Sequence, residues 1–284
     1  MAAFGLGMAF ATIFVFYILW LGGQMLMSRF VYRNPQFAVR TIEIQSSGVL
    51  TKDQLRRLSG IKLGDNLIAL NLGRVKRDME AISQIKSVTV ERELPGILRL
   101  RVVERDPVAE AHIYRARKDA SLETLNLNLD SEGSVFTLQE SNVISDFQRT
   151  NQSSMTVITG IDPAELVPGH RVLNHQAQLA LELIRIFKHS PMQGLVELRS
   201  IDVSDPDVLR TYTSEGSEIA FGSINLDRQL RRWREIYNQG QRLARVLATL
   251  DLSLSNGIPA TWAEVTPQIP APKQNQRNKG KKNV

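Results

Sequence analysis

The sequence predicts an α+β protein: a single N-terminal transmembrane helix, a βααββ unit, then a mixed β domain with two packed helices and a C-terminal β-hairpin. Three observations carry this reading. Residues Met1 to Ser28 hold no charged side chain and are packed with Phe, Ile, Leu and Val. Period-2 and 3.6-period apolar patterns then alternate in the order strand, helix, helix, strand, strand up to residue 104. Beyond Val108, short alternating runs are broken by two longer amphipathic stretches, and Asn256-Gly257 stands between the last two apolar-rich runs.

A helix from about Ala3 to Met27 rises roughly 1.5 Å per residue, enough to cross a hydrocarbon core of about 30 Å. The aromatic and basic residues Arg29, Phe30, Tyr32 and Arg33 suit an interfacial anchor just past its far end. A cleaved secretory signal is the competing reading. Against it, no Lys or Arg precedes the apolar run, the run is long for a signal core, and no small-residue cleavage site follows. Arg29, Arg33 and Arg40 by themselves favour a cytoplasmic C-terminal part, but large domains are exported largely regardless of flanking charge, so the count does not decide the side.

After a juxtamembrane arm over 29–36, Ile42 and Ile44 alternate with polar neighbours as a half-buried strand does. Thr51 with Gln54 three residues on makes a capping box, and Gly60 stops the short helix it opens. A turn-rich connector runs from Ile61 to Leu67. Asn71 is the expected N-cap of a second helix carrying Leu72, Val75, Met79 and Ile82 at helical spacing. Val88 and Val90 then mark one strand and Leu98, Leu100 and Val102 its partner, with Glu93-Leu94-Pro95-Gly96 turning the chain between them.

In the second domain, over 108–262, Leu125, Leu127 and Leu129 alternate before a turn at Asp130-Ser131-Glu132-Gly133, and Val135 and Phe136 start the return. Residues Gln139 to Ser154 are polar and patternless, as in a surface excursion. A helix is expected over Asn174 to His189, burying Leu179, Leu183, Ile186 and Phe187. Strands follow around 197–202, 208–213 and 218–221, with Ser214-Glu215-Gly216 as a hairpin turn. A second helix from Leu226 to about Arg245 buries Leu230, Trp233 and Tyr237 and displays Arg228, Arg231, Arg232 and Arg234. The finish is a hairpin, Ala248–Leu254 and Ile258–Trp262, turning at Asn256-Gly257. A tail over 263–284, rich in Pro and positive charge, has too little apolar content to order itself.

Of the net charge of +6, the stretch Thr266–Val284 supplies +5 through Lys273, Arg277, Lys279, Lys281 and Lys282, leaving +1 for everything before it. A general argument from basicity to nucleic acid therefore fails. The tail reads either as a solubilising linker or as a contact for an anionic polymer or lipid head groups. There is no cysteine, so neither disulfides nor thiolate chemistry is on offer. The four histidines are scattered without metal-ligand spacing. Ser83-Gln84-Ile85-Lys86 matches a Ser-x-x-Lys motif, but it straddles a helix end and a strand start and lacks the companion Ser-Asp-Asn and Lys-Thr-Gly elements. No phosphate-binding glycine motif and no nucleophile elbow is present, so no cofactor and no enzymatic activity are expected. The arginines of the Leu226 helix fit a solvated face or a dock for an acidic partner. A chain-terminal strand lies at a sheet edge, where unpaired backbone groups can accept a partner strand, unless the Pro259 ring interrupts the open side.

The run Glu91-Arg92-Glu93-Leu94-Pro95, then Leu98, Leu100 and Val102, then Val103-Glu104-Arg105-Asp106-Pro107 resembles the end of a POTRA domain of the bacterial FtsQ/DivIB cell-division family. The connector Gly60-Ile61-Lys62-Leu63-Gly64-Asp65-Asn66-Leu67 is similar to that family's joint between the POTRA helices. Leu129-Asp130-Ser131-Glu132-Gly133-Ser134-Val135-Phe136, Ile158-Thr159-Gly160 and the segment Leu250 to Trp262 resemble successive markers of its β domain. The resemblance spans roughly Phe37 to Trp262 plus the anchor, which here lacks the family's basic cytoplasmic stretch. It implies a POTRA domain over 37–107 and a non-enzymatic divisome scaffold in the inner membrane with its domains outside, at the septum. It further implies FtsB and FtsL as partners, added as a strand at the C-terminal edge, and an FtsK-type protein at the POTRA domain. Carried onto this sequence, the partner-binding residues are Leu254, Asn256, Gly257 and Trp262, with Arg231 and Arg234 as acid-binding neighbours. The competing expectation is a POTRA-bearing component of outer-membrane assembly or secretion, for which no train of amphipathic barrel strands follows.

Overall fold

In the computed structural model, which describes residues 13–23, 34–116, 122–138, 155–254 and 257–263, the strands form one sheet of three and one of nine. Residues 13–23 are helical (α1) with exposed side chains; the rise of such a segment is about 16 Å, roughly half a hydrocarbon core. No helix among the described residues is long and apolar enough to cross a membrane. The rest of the expected Ala3–Met27 span, the juxtamembrane basic residues, the 139–154 excursion and the tail beyond Ala263 lie outside the described residues.

The βααββ order is realised as β1 (Thr41–Ser46), α2 (Lys52–Ser59), α3 (Leu72–Glu80), β2 (Ile85–Glu93) and β3 (Ile97–Glu104). Local signals set the helix ends. The Thr51 hydroxyl accepts the Gln54 N–H while the Gln54 side chain accepts the Thr51 N–H, and Gly60 closes α2 at φ 66°. Asn71 caps α3 by accepting the Arg74 N–H at 3.0 Å. β3 is central, antiparallel to β2 and parallel to β1. Leu98 and Leu100 on it are fully buried against Leu55 of α2 and Met79 of α3, also fully buried.

The second sheet has the order β12-β11-β10-β9-β8-β7-β4-β5-β6. Its strands are β4 (Ala109–Ala116), β5 (Leu122–Leu129), β6 (Val135–Phe136), β7 (Thr156–Thr159), β8 (Leu198–Asp202), β9 (Val208–Thr213), β10 (Glu218–Gly222), β11 (Val246–Asp251) and β12 (Ala260–Ala263). Two of its parallel pairs, β7 with β8 and β10 with β11, are joined through helices, α4 (His175–Phe187) and α5 (Leu226–Arg242). Both crossovers run between strands of the same direction and step the same way along the sheet. The handedness rule then puts both helices on one face. Phe187 of α4 and Phe221 of β10 meet Trp233 of α5 there, at ring-centroid distances of 6.0 and 5.9 Å.

Several details differ from the sequence expectation. The buried side of α4 is Ala177, Ala180, Leu181, Leu183, Ile184 and Phe187, whereas Leu179 and Ile186 are half-buried at its border. Small alanines let the helix approach the sheet, a role that hydrophobic periodicity underweights. Helix α5 stops at Arg242 because Ala244 takes a left-handed conformation (φ 50°), with Arg245 N–H bonded to Gly240 O (3.0 Å) and Ala244 N–H to Gln241 O (3.3 Å). That is a Schellman cap with Ala where Gly is usual. β11 starts and ends earlier than expected: Asp251 accepts from the Ser253 N–H and hydroxyl, and the Leu252 N–H leaves the hairpin for Ala220 O.

Glu104 and Arg105 give the Val-Glu-Arg-Asp-Pro run its physical meaning. The buried Glu104 carboxylate accepts from the Val49 and Leu50 N–H groups, the Ser46 hydroxyl and the Gln84 amide. The loop passes so close that a Cβ at Gly48 would stand 2.3 Å from Glu104 Cδ. The next residue points the other way: the Arg105 guanidinium donates to Ser83 O (3.1 Å) and to Asp130 Oδ2 (2.6 Å), tying the βααββ unit to the β5–β6 turn. The Asp130 side chain is 5% exposed, and its other oxygen holds the Glu132 and Ser134 N–H groups. Lys86 pairs with Glu132 at 2.7 Å across the same junction.

Candidate functional site

β12 is the outermost strand of the nine-stranded sheet and pairs with β11 alone. Its register is Leu250 opposite Ala260 and Thr249 opposite Thr261, then a bulge at Ala248, then Leu247 opposite Trp262 and Val246 opposite Ala263. Just outside the strand, Asp251 N–H bonds to Pro259 O at 3.0 Å. In an extended strand the N–H and C=O of one residue point to the same side and alternate along the chain. Pro259, Thr261 and Ala263 therefore turn their backbones toward β11. Ala260 and Trp262 turn theirs outward, offering two donors and two acceptors along the free margin. The missing Pro259 donor falls on the inner side, so the ring does not interrupt the open one.

Trp262 fixes this margin to the body. Its indole lies directly on Gly240 of α5, where a Cβ would be 2.4 Å from Cζ3 and 3.0 Å from Cη2. Nothing larger than glycine fits between helix and ring, and the Schellman cap brings the chain back from that same point into β11. Beside the indole is a hollow of about 260 Å³ lined by Tyr237, Gln241, Arg245, Val246, Leu247 and Glu215. On the opposite face, the Thr249 and Thr261 hydroxyls meet at 2.6 Å.

Of the other expected residues, Leu254 borders a second hollow, whereas neither Arg231 nor Arg234 lines either one. Leu254 is exposed and borders a larger hollow of about 400 Å³ with Ile224, Arg228 and Arg232 at the start of α5. There the Gln229 side chain holds the turn by three hydrogen bonds, to Gly222 N–H, Gly222 O and Ile224 O. Gly257 has φ 71°, which suits its turn role, and Asn256 lies outside the described residues. Arg231 is engaged by Asp227 one turn earlier, and Arg234 donates to Pro191 O at 3.2 Å. Both thus bond within the chain, while Arg245 stands beside Trp262 and Arg228 and Arg232 beside Leu254. Sequence reasoning does not single out Gly240; its only signal there is a lone glycine inside a helical pattern.

Among the described residues no group of three or more His, Asp or Glu is placed to hold a metal ion. Ser83 and Lys86 sit in a turn and in β2, and Lys86 is paired with Glu132. That geometry does not place a serine hydroxyl beside a free amine at a helix start.

Residues 37–105 match the family model described as "POTRA domain, FtsQ-type". The chain is 25% identical over 237 residues to the cell division protein FtsQ of Syntrophotalea carbinolica, covering 83% of this chain and 76% of that one. It is also 25% identical to FtsQ of Geotalea daltonii, over 81% of this chain and 78% of the other. The chain is thus similar to FtsQ proteins over most of its length. A DivIB of Paenibacillus polymyxa is similar over a shorter stretch, at 28% identity across 34% of this chain. The matched POTRA segment is the βααββ unit, and the two FtsQ likenesses, each over more than 80% of this chain, extend beyond it into the second sheet.

Proposed function

We propose that this chain is a non-enzymatic divisome scaffold, held in the cytoplasmic membrane by its N-terminal apolar run with its domains outside. It gathers FtsB- and FtsL-type partners at the septum by accepting a strand along β12. The observation that carries the reading is the free margin at Ala260 and Trp262, kept in place by an indole seated on a glycine. Each backbone hydrogen bond made there contributes about 1 kcal/mol net. The flanking hollows at Trp262 and Leu254 take alternate side chains of an added strand, which supplies specificity. The POTRA unit is the face for an FtsK-type upstream protein. Co-purification from membranes tests the scaffold: Trp262→Glu and Gly257→Pro are expected to abolish capture of an FtsB/FtsL-type pair while the far-UV spectrum and POTRA stability stay unchanged. Undiminished capture by both variants would remove β12 from the interface.

A further inference from the structure

The POTRA unit presents a basic face that neither its own fold nor the β12 margin uses. Lys52, Arg56 and Arg57 on α2 and Lys62 in the following loop are exposed. None of the four forms an ion pair among the described residues, whereas on α3 Arg74 and Lys76 are matched to Asp78 and Glu80. At the tip of the loop Leu63 is 52% exposed, next to Gly64 at φ 94°. Arg56, Arg57, Lys62 and Leu63 border one shallow hollow of about 590 Å³, shared with the single acid Asp53. Asp65, the other nearby carboxylate, is turned back onto the Lys62 N–H at 2.9 Å.

The position of this face matters as much as its charge. Gly64 N–H bonds to Val39 O (2.9 Å), Val39 N–H to Asp65 O (2.8 Å) and Leu67 N–H to Phe37 O (2.7 Å), so the loop is laced to residues 37–39. The charge-free run ends at Ser28, and the residues from there to Phe37 can span at most about 30 Å. A face tethered that closely meets the bilayer surface at high effective concentration, so weak individual contacts suffice. Unpaired cations around an exposed leucine complement an anionic headgroup layer with an apolar interior.

We propose that the α2 face of the POTRA unit docks on anionic phospholipid headgroups of the membrane that anchors the chain, with Leu63 entering the interfacial layer. This rests on the proposed N-terminal anchor. The docked state fixes the orientation of the POTRA unit, and through the Arg105–Asp130 link that of the β domain, relative to the bilayer.

The chain has no cysteine, so Leu63→Cys in the full-length protein takes one environment-sensitive dye. The labelled protein is reconstituted into nanodiscs of phosphatidylcholine alone or mixed with phosphatidylglycerol. A blue shift and protection from an aqueous quencher are expected only with phosphatidylglycerol, reversed by high salt and unaffected by added inorganic phosphate. Arg56→Glu with Arg57→Glu is expected to lower the docked-to-undocked ratio at least about tenfold. Lys62→Glu, outside the helix, repeats the direction of the effect without touching α2. Equal signals in the two lipids, or phosphatidylglycerol-dependent docking that survives both sets of charge reversals, would overturn the proposal. Failure of the chain to incorporate into either nanodisc would instead strike at the anchor.

Discussion

Gly240 offers the sharpest test of how the β12 margin is held. In a helix interior, replacing Gly by Ala ordinarily stabilises by about 0.5–1 kcal/mol. Here the added Cβ would meet Trp262 Cζ3 at 2.4 Å, and forcing a methyl into such a contact costs about 1–3 kcal/mol. Gly240→Ala should therefore destabilise by about 1–2 kcal/mol, the balance of those two effects. With Trp262→Ala already in place the obstruction is gone, and the same Gly240→Ala change should become neutral or stabilising by up to about 0.5–1 kcal/mol. The Arg245 carbonyl, 3.1 Å from where that methyl would sit, trims the gain. The measurement is a double-mutant cycle by urea unfolding, with hydrogen exchange at Thr261 to localise the effect. Coupling of about 2 kcal/mol and a lasting rise in Thr261 exchange in Gly240→Ala are expected. If Gly240→Ala is equally stabilising in both backgrounds, the indole does not rest on the helix as described.

The remaining predictions concern the frame that carries this margin. Glu104→Gln strips the Val49 and Leu50 N–H groups of their charged acceptor and should cost about 2–4 kcal/mol in urea unfolding of the POTRA unit. Arg105→Met leaves a buried Asp130 carboxylate unpaired and should destabilise by about 3 kcal/mol; adding Asp130→Asn should recover part of that loss and still leave the two domains more loosely coupled by small-angle scattering. Ala244→Gly removes the cost of a left-handed alanine at the end of α5 and should stabilise by about 1 kcal/mol, read as a rise in melting temperature.

Features written within a few residues were legible in the sequence. The Thr51–Gln54 box, the Asn71 cap and the Ser214-Glu215-Gly216 turn each need only neighbouring side chains and backbone, and the structure has all three. The terminal position of the last strand also translated into an edge, since nothing described follows it to cover it. What could not be read was the partnership of distant residues. The parallel join of β10 to β11 depends on a crossover whose path is set by packing on Trp233. The meaning of Gly240 depends on a tryptophan beyond the next strand. The arginines of α5 look interchangeable in sequence, and only the helix's rotation separates Arg231, paired with Asp227, from Arg228 and Arg232 beside Leu254.

The strand order itself has a mechanical outcome. β12 and β5 are separated by seven steps across the large sheet, about 34 Å at the usual strand spacing. Asp130, which receives Arg105, follows β5 directly, so the first unit is fastened near one border and the open strand forms the other. The sheet thereby serves as a ruler. Molecules held at its two borders stay too far apart to shield one another, and a pull applied at either is passed sideways through every ladder of hydrogen bonds between them.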